Sequence, residues 1–558
     1  MWKAPPHDHH HRKRGTPPMS DPAQLLRDWI ATYHTPTTSV AHLLCDRHDP
    51  HTTATTQIGP TLEPTTLTYG QLHQKSTTLA AGLHHLGIRP GDRIATLIPK
   101  GIDLTITALA TWRLGATLVP LLTSLAPSAI HQRLTDSGTT LVIAQDDYRT
   151  KLDPGPHQTT PPTWHTATTG THPLRDGDHT LHTLTTSDHT PPPTPPTTGD
   201  TTLALVYVSN LIGPPRGARV PVRALAAMHA YHHYGLGVTD DDTYWNTADP
   251  GTAYGLYHGL ISPLLAGHTS LALQAGFFDP ELTLDVLGMY QVTNFASDPT
   301  TYRTIRAATK TLPPEIIVQR LASAGEPLAP DVIDWATDLF GIPIRDHYGQ
   351  TELGWCAGIP NNPELPQADA PLPPGAIGPA LPGWNIHVLD PIDDQPAPLG
   401  VYGRIAIDHT TSPLDWFEGY HGYDDTLDIR RTPDHTHHLT GDTGIMDRQG
   451  NLHFSTRDDG AIITRSYRIG PTEVETILTS HPAVDECGVY AIPDPIAGHL
   501  VGARVVLAPD HTGGPHLADE LRDWVSTHLA PHAAPHTIDF VDELPRTASG
   551  KMRRARLP

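Results

Sequence analysis

The chain has 558 residues, enough for several domains and a large buried core. Its 37 Lys and Arg against 59 Asp and Glu give a formal charge of −22, which argues against nucleic acid or an anionic membrane as the main partner. No apolar run approaches the roughly 18 residues of a membrane span and no signal-type apolar segment opens the chain, so a cytoplasmic location is the expectation.

Residues 1–20, with the run His7, Asp8, His9, His10 and His11, read as a disordered, solvated tail. Residues 21–458 read as one large N-terminal portion and 459–558 as a smaller C-terminal unit. From Leu67 the text becomes globular: a helix-like stretch runs to Leu86, and GIRPGDRIATLIP then feeds a turn into an apolar strand. Helix and strand signals alternate through TTLVIAQ, the pattern of α/β layers. Residues 151–200 are dominated by Thr, Pro and His and read as a long surface loop. Globular α/β text resumes at Leu203. GVYGRIAID and NLHFSTR then look like strands of a β-rich piece, and the last hundred or so residues hold strand-like ECGVYAIPD and ARVVLAP with a helix from His516 to Leu529. Cys45, Cys356 and Cys487 are too scattered for a disulfide framework or a zinc site.

Five stretches carry chemistry. In LALVYVSNLIGPPRGA a strand enters a loop containing Ser209, Gly213 and Arg216, which suits a triphosphate, although taken alone it reads better as an ordinary turn. RDHYGQTELG, preceded by LASAGEPLAP, sets Thr351 beside Glu352, an oxygen pair for phosphate and magnesium, or else a helix cap. In HHLTGDTGIMD, Asp442 between glycines could accept ribose hydroxyls or mark a β-turn. RDDGAIITRSYRIGPTEVE and LPRTASGKMRR complete the set; Lys551 after a Ser-Gly step could reach a remote site or belong to a basic tail.

Taken together and in this order, the five stretches resemble the core motifs of AMP-forming acyl-CoA synthetases and related adenylating enzymes, from about Leu67 to Arg554. YWNTADPGTAYGLYHGLISPLLAG is similar to the acetyl- and medium-chain branch. The resemblance implies a layered αβαβα N-terminal domain with a small β-barrel and a mobile α+β C-terminal lid hinged at Asp459. It implies ATP and Mg2+, coenzyme A as co-substrate, and a small-molecule carboxylic acid activated as acyl-AMP. Thr351 would contact the α-phosphate and Glu352 the magnesium. Ser209, Arg216, Gly349, Gln350, Arg457 and Arg468 would help hold the nucleotide. Asp442 would take the ribose, and Gly325, Glu326, Pro327 and Tyr348 the adenine. Lys551 would bridge the acyl carboxylate and the α-phosphate. Trp245, Tyr254, Tyr257 and Phe295 match stretches that line the acyl pocket, or pack a core. Gly349, where acetate-specific relatives have Trp, implies a wider pocket and a medium, branched or aromatic acid.

The sequence departs from the family at the phosphate loop, where Leu211 and Ile212 replace hydroxyl residues, and near the hinge, where Ser466 replaces the glycine that gives the pantetheine arm of coenzyme A passage. The first weakens the grip on ATP and the second bears on the thioester step. Three readings follow: an acid:CoA ligase, an adenylating enzyme with another acceptor (a carrier-protein thiol or an amine) or an unusual acid such as nitrite, and a binding protein that keeps only the fold. A homodimer is left open.

Overall fold

The computed structural model describes residues 21–154, 162–186, 189–209, 214–274, 278–370, 373, 375–423, 430–457, 461–465, 467–509, 511–545 and 556–557. The expected tail, Asp459, Ser466, Leu211, Ile212 and Lys551 lie outside them.

Short apolar runs such as Leu141–Ala144, buried along their whole length, form strands because only a sheet covered on both faces satisfies backbone and side chain together. The first sheet runs His179–Thr180, His165–Thr168, Leu141–Ala144, Arg93–Leu97, Thr117–Pro120, Thr202–Val208, Arg216–Pro221, parallel except for the last strand. The second runs Gly354–Gly358, Ile344–Gln350, Arg320–Ala324, Asn294–Ser297, Tyr244–Asn246, Ser270–Leu273, Thr53–Ile58, Pro64–Thr68, antiparallel only at its two edges. Helices fill the crossovers. One of them, Tyr69–His85, starts with a reciprocal capping box between Thr68 and Gln71.

A four-stranded antiparallel sheet follows, Ile386–Leu389, Tyr402–Asp408, His437–Met446 and Leu452–Arg457. The C-terminal unit packs the helices Pro471–Thr479 and Pro515–His528 on a five-stranded sheet centred on the Val484–Asp494 and Gly498–Leu507 hairpin. Its apolar side chains, Val474, Val489, Val505 and Leu529 among them, join those of the first sheet's Leu97 and Val119 in one buried cluster. The C-terminal unit is therefore docked on the N-terminal body. Three polar contacts reinforce the docking: Ala126 N–H donates to the Leu529 carbonyl at 2.7 Å, Arg133 faces Glu473 at 3.5 Å, and Arg303 donates to the Ile496 carbonyl.

Two expectations need correction. Residues 151–200 are not loop throughout: His165–Thr168 and His179–Thr180 extend the first sheet, and the short helix Leu181–Thr186 packs on the Tyr69–His85 helix through buried Leu181 and Leu184. Threonine is a good strand former, and a few apolar anchors suffice where a neighbouring strand supplies the ladder. Ordered structure also begins well before Leu67, with the helix Pro22–His34, capped by Asp21, and the strand Thr53–Ile58. The three cysteines are free and buried, and burial pushes the Cys45 thiol up to about 12.

Candidate active site

In a parallel sheet, loops that can hold a ligand gather at the carboxyl ends of the strands. Thr202–Val208 ends at Ser209, Arg320–Ala324 at Gly325 and Ile344–Gln350 at Thr351, so the sheets bring three of the sequence motifs to such ends.

Strand alternation aims Tyr348 and Gln350 to one side, where both reach a carboxylate from another sheet. The Tyr348 hydroxyl donates to Asp442 Oδ2 at 2.6 Å, and Gln350 Nε2 donates to the same oxygen at 2.5 Å. Asp442 sits inside the strand His437–Met446 rather than in a turn, after Gly441 at φ +74°, a left-handed position that favours glycine. Arg457 pairs opposite Asp442 in the ladder. Burial, then the Asp442 charge, raises the Tyr348 phenol, which therefore stays a donor. A carboxylate has about four lone-pair sites, so one held by two donors can still accept from a vicinal diol.

Glu352 is 1% exposed. Tyr420 donates to its Oε1 at 2.6 Å and an Arg468 nitrogen lies 3.9 Å from the same atom. Burial alone would raise this carboxyl, but the Arg468 and Arg430 charges and the Tyr420 hydrogen bond together hold it below the usual carboxylate range. Oε2 has no hydrogen-bond partner among the described residues. A buried, ionised oxygen without a donor is a fitting ligand for a hard cation, so the site suits magnesium. Thr351 adjoins it, its carbonyl accepting from Tyr257 at 2.9 Å. Arg216 stacks on Tyr423 at 4.4 Å and lies 5.9 Å from the Tyr420 ring, one ring away from Glu352.

The hairpin of Ile462–Thr464 and Tyr467–Ile469 enters this region from the C-terminal unit: Ser209 Oγ donates to the Arg468 carbonyl at 2.7 Å. Ser209, Thr351, Tyr467, Arg468 and Arg133 line a cavity of about 140 Å³ between the two units. Glu326 is held by Arg303 and by the Thr300 hydroxyl at 2.8 Å; burial, then Asp298, raises it to about 7. Pro327 follows it in the loop after the strand Arg320–Ala324, where Gly325 takes φ +97°.

The acyl-pocket candidates separate. Trp245 and Phe295 pack on each other at 5.3 Å in a core with Ile58 and Val286, on the opposite face of the second sheet from Tyr244. Tyr254 and Tyr257 lie with Tyr244 in the main core, around Trp355 at ring distances of 4.7 and 6.3 Å. Gly349 does not open space: a Cβ there would come within 2.2 Å of the Gly354 carbonyl and 2.8 Å of Trp355 Cγ. Gly349 pairs directly with Trp355 across the ladder, so the neighbouring strand supplies the aromatic ring at this point. Sequence reasoning missed Trp355, Tyr420 and Arg303. Trp355 lies four positions beyond Thr351, which is a signal only once the antiparallel return strand is known.

A model of AMP-binding enzymes matches residues 45–421, and a model of their C-terminal domain matches residues 473–551. The chain belongs to the AMP-binding enzyme family. This AMP-binding enzyme is 30% identical over 494 residues to an uncharacterized acyl-CoA ligase of Bacillus subtilis, covering 88% of this chain and 89% of the relative. It is 29% identical over 486 residues to a mitochondrial acyl-coenzyme A synthetase of Homo sapiens, covering 84% and 79%. A solved acyl-CoA synthetase of Brucella canis, 36% identical, aligns over 97% of both chains with a TM-score of 0.70. An amide bond synthetase of Marinactinospora thermotolerans, 21% identical with a TM-score of 0.77 over 93% of this chain and 99% of that one, shares the fold. The AMP-binding enzyme described here is thus an AMP-forming acid-thiol ligase of the acyl-CoA synthetase type, a class that uses ATP, Mg2+ and coenzyme A on a small-molecule acid. No helix among the described residues is long and apolar enough to cross a membrane.

Proposed function

We propose that this enzyme joins a small medium-chain, branched or aromatic carboxylic acid to AMP at the Thr351, Glu352 and Asp442 cleft and then passes the acyl group to coenzyme A through the cavity beside Ser209. In the first step a carboxylate oxygen attacks the α-phosphorus of ATP, and the bond to the β-phosphate oxygen breaks, releasing pyrophosphate. In the second, the coenzyme A thiol loses its proton, sulfur attacks the acyl carbon, and AMP leaves. Asp442, steadied by Tyr348 and Gln350, would accept the ribose hydroxyls. Glu352 would hold magnesium through Oε2; when bound, the ion neutralises charge on the departing phosphates. Lys551 would bring an ammonium to the α-phosphate in a different lid position, outside the described residues.

The observation that carries the reading is the buried, ionised Glu352 with one unpartnered oxygen, beside Thr351 and a cavity that opens between the two units. In the docked arrangement Arg468 neutralises Glu352, and we assign it to the stage after pyrophosphate and magnesium have left. Tyr467 and Arg468, the two residues after Ser466 in the chain, line the cavity, which supports passage of the pantetheine arm there. A flat or branched acid fits the ring cluster of Tyr254, Tyr257, His258 and Trp355, within which the Trp355 indole nitrogen has no hydrogen-bond partner among the described residues. A carrier-protein thiol is the alternative acceptor. A cytoplasmic setting agrees with the negative charge and with coenzyme A as co-substrate, and pairing into a homodimer is compatible with the reading.

Pyrophosphate release measured across a panel of acids, with and without coenzyme A, tests this. Release for medium-chain, branched or aromatic acids, with thioester formed only when coenzyme A is added, is expected. Release without thioester would move the acceptor to another nucleophile, and no release with any acid would refute the reading.

A further inference from the structure

The four-stranded antiparallel sheet carries a group of side chains that the ligase chemistry does not use. Three adjacent strands, Ile386–Leu389, Tyr402–Asp408 and His437–Met446, place His387, Asp408 and His437 on one face. His387 pairs with Ala406, and Asp408 pairs with His437, one step along the ladder. The small side chain of Ala406 leaves the middle strand low, so the two imidazoles lean across it. His387 Nδ1 and His437 Nε2 stand 2.9 Å apart, and one ligand atom from each of the three residues lies within 4.8 Å of the other two.

We infer that His387, Asp408 and His437 bind a divalent transition-metal ion, zinc by preference, at a site separate from the nucleotide cleft. Two imidazole nitrogens and a carboxylate oxygen are a donor set for zinc, nickel or copper and a poor one for magnesium, so this ion is not the one that accompanies ATP. Ligand atoms around a tetrahedral zinc stand about 3.3 Å apart for metal–ligand bonds of about 2.0–2.1 Å, so metal binding would replace the hydrogen bond between the two imidazoles and part them by a few tenths of an ångström.

The surroundings hold the ligands in register. Thr436 Oγ1 bonds His437 Nδ1 at 2.8 Å, which fixes the ring and leaves Nε2 as the ligand atom. Thr410, Thr411 and Asn385 hold Asp408: Oδ1 accepts from the Thr410 backbone at 2.9 Å, its hydroxyl at 2.6 Å and the Thr411 backbone at 3.3 Å, while Oδ2 accepts from the Thr411 hydroxyl at 2.7 Å and the Asn385 amide at 3.5 Å and so carries the lighter load. Asp408 is 9% exposed and the two histidines are half-buried, so a fourth ligand would be water reaching the imidazoles from the solvent side. Bound metal would cross-link three strands, the last of which also carries Asp442.

The test is a zinc titration by calorimetry, with cobalt as a spectroscopic stand-in, on the full chain in a background where His7, His9, His10 and His11 are alanine, so that the N-terminal histidine run does not contribute. The parent should bind one zinc ion more than the His387→Gln/His437→Gln double variant, show the visible absorption of a four-coordinate cobalt site, and melt a few degrees higher with zinc than after chelation. The same binding and melting response in parent and double variant would overturn the inference. If the double variant does not fold, X-ray absorption of the zinc-loaded parent decides: two imidazoles with a carboxylate oxygen support the site, and only water or a different imidazole count overturns it.

Discussion

Trp355 and Gly349 face each other across one ladder, and under the proposed function this pair would set what the acyl pocket admits. Trp355→Ala should enlarge the space among Tyr254, Tyr257 and His258, raising kcat/KM for bulkier acids about tenfold or more relative to small ones, read from competition between acids. Its cost in stability should be about 3–5 kcal/mol, the usual range for emptying a buried aromatic site. Gly349→Ala should lower stability by at least about 1–3 kcal/mol in a thermal melt, because its Cβ would meet the Gly354 carbonyl at 2.2 Å and backbone cannot step aside cheaply. The sequence motif singled out Gly349 for the acyl pocket, and the structure adds a packing reason for the glycine, since a Cβ there would meet the Gly354 carbonyl. The glycine serves close strand approach, and the ring that fills the space comes from a residue whose relevance depends on pairing, which a linear reading does not contain. Trp245 and Phe295 illustrate the same limit: aromatic identity was visible, but which face of the strand they occupy was not.

At the scale of elements, the hairpin Ile462–Thr464/Tyr467–Ile469 links the two units at the reaction cleft. Ser209→Ala removes the hydroxyl that donates to the Arg468 carbonyl, an interaction of about 1 kcal/mol net, so the KM for coenzyme A should rise roughly fivefold while acid-dependent pyrophosphate release changes little. Equal loss in both half-reactions would mean that Ser209 acts on ATP rather than on docking. Elements were legible where apolar runs and Gly/Pro punctuation coincide, as in Arg93–Leu97, Tyr402–Asp408 and Pro515–His528. They were lost where composition misled: the Thr-rich strands Thr53–Ile58 and His165–Thr168 pair with the apolar strands Ser270–Leu273 and Leu141–Ala144.

Over the whole molecule, the many histidines leave a titration signature. Burial lowers His229 to about 3 and His48, His347 and His532 to about 4, all below the roughly 6.5 of an exposed imidazole. The unfolded chain therefore takes up protons that the folded chain refuses as pH falls from about 6.5 toward 4, so stability should drop steadily through that window and be unaffected by these groups above it. Denaturant melts at pH 7.5, 6 and 5 should show the midpoint falling; a midpoint that rises on acidification would contradict the burial of these rings. The domain order and the reaction type were legible because motifs at strand ends report local chemistry, whereas the docked position of the C-terminal unit depends on contacts far apart in sequence, such as Arg303 with Ile496 and Arg133 with Glu473. The central claim is that one cleft, served in turn by Lys551 and by the Arg468 hairpin, makes and then transfers an acyl adenylate. Its most direct test compares Lys551→Ala with the parent in both half-reactions, pyrophosphate release from ATP plus acid and thioester formation from synthetic acyl-AMP plus coenzyme A. The account predicts near-complete loss of the first with the second largely retained; equal activity of variant and parent in pyrophosphate release would contradict it.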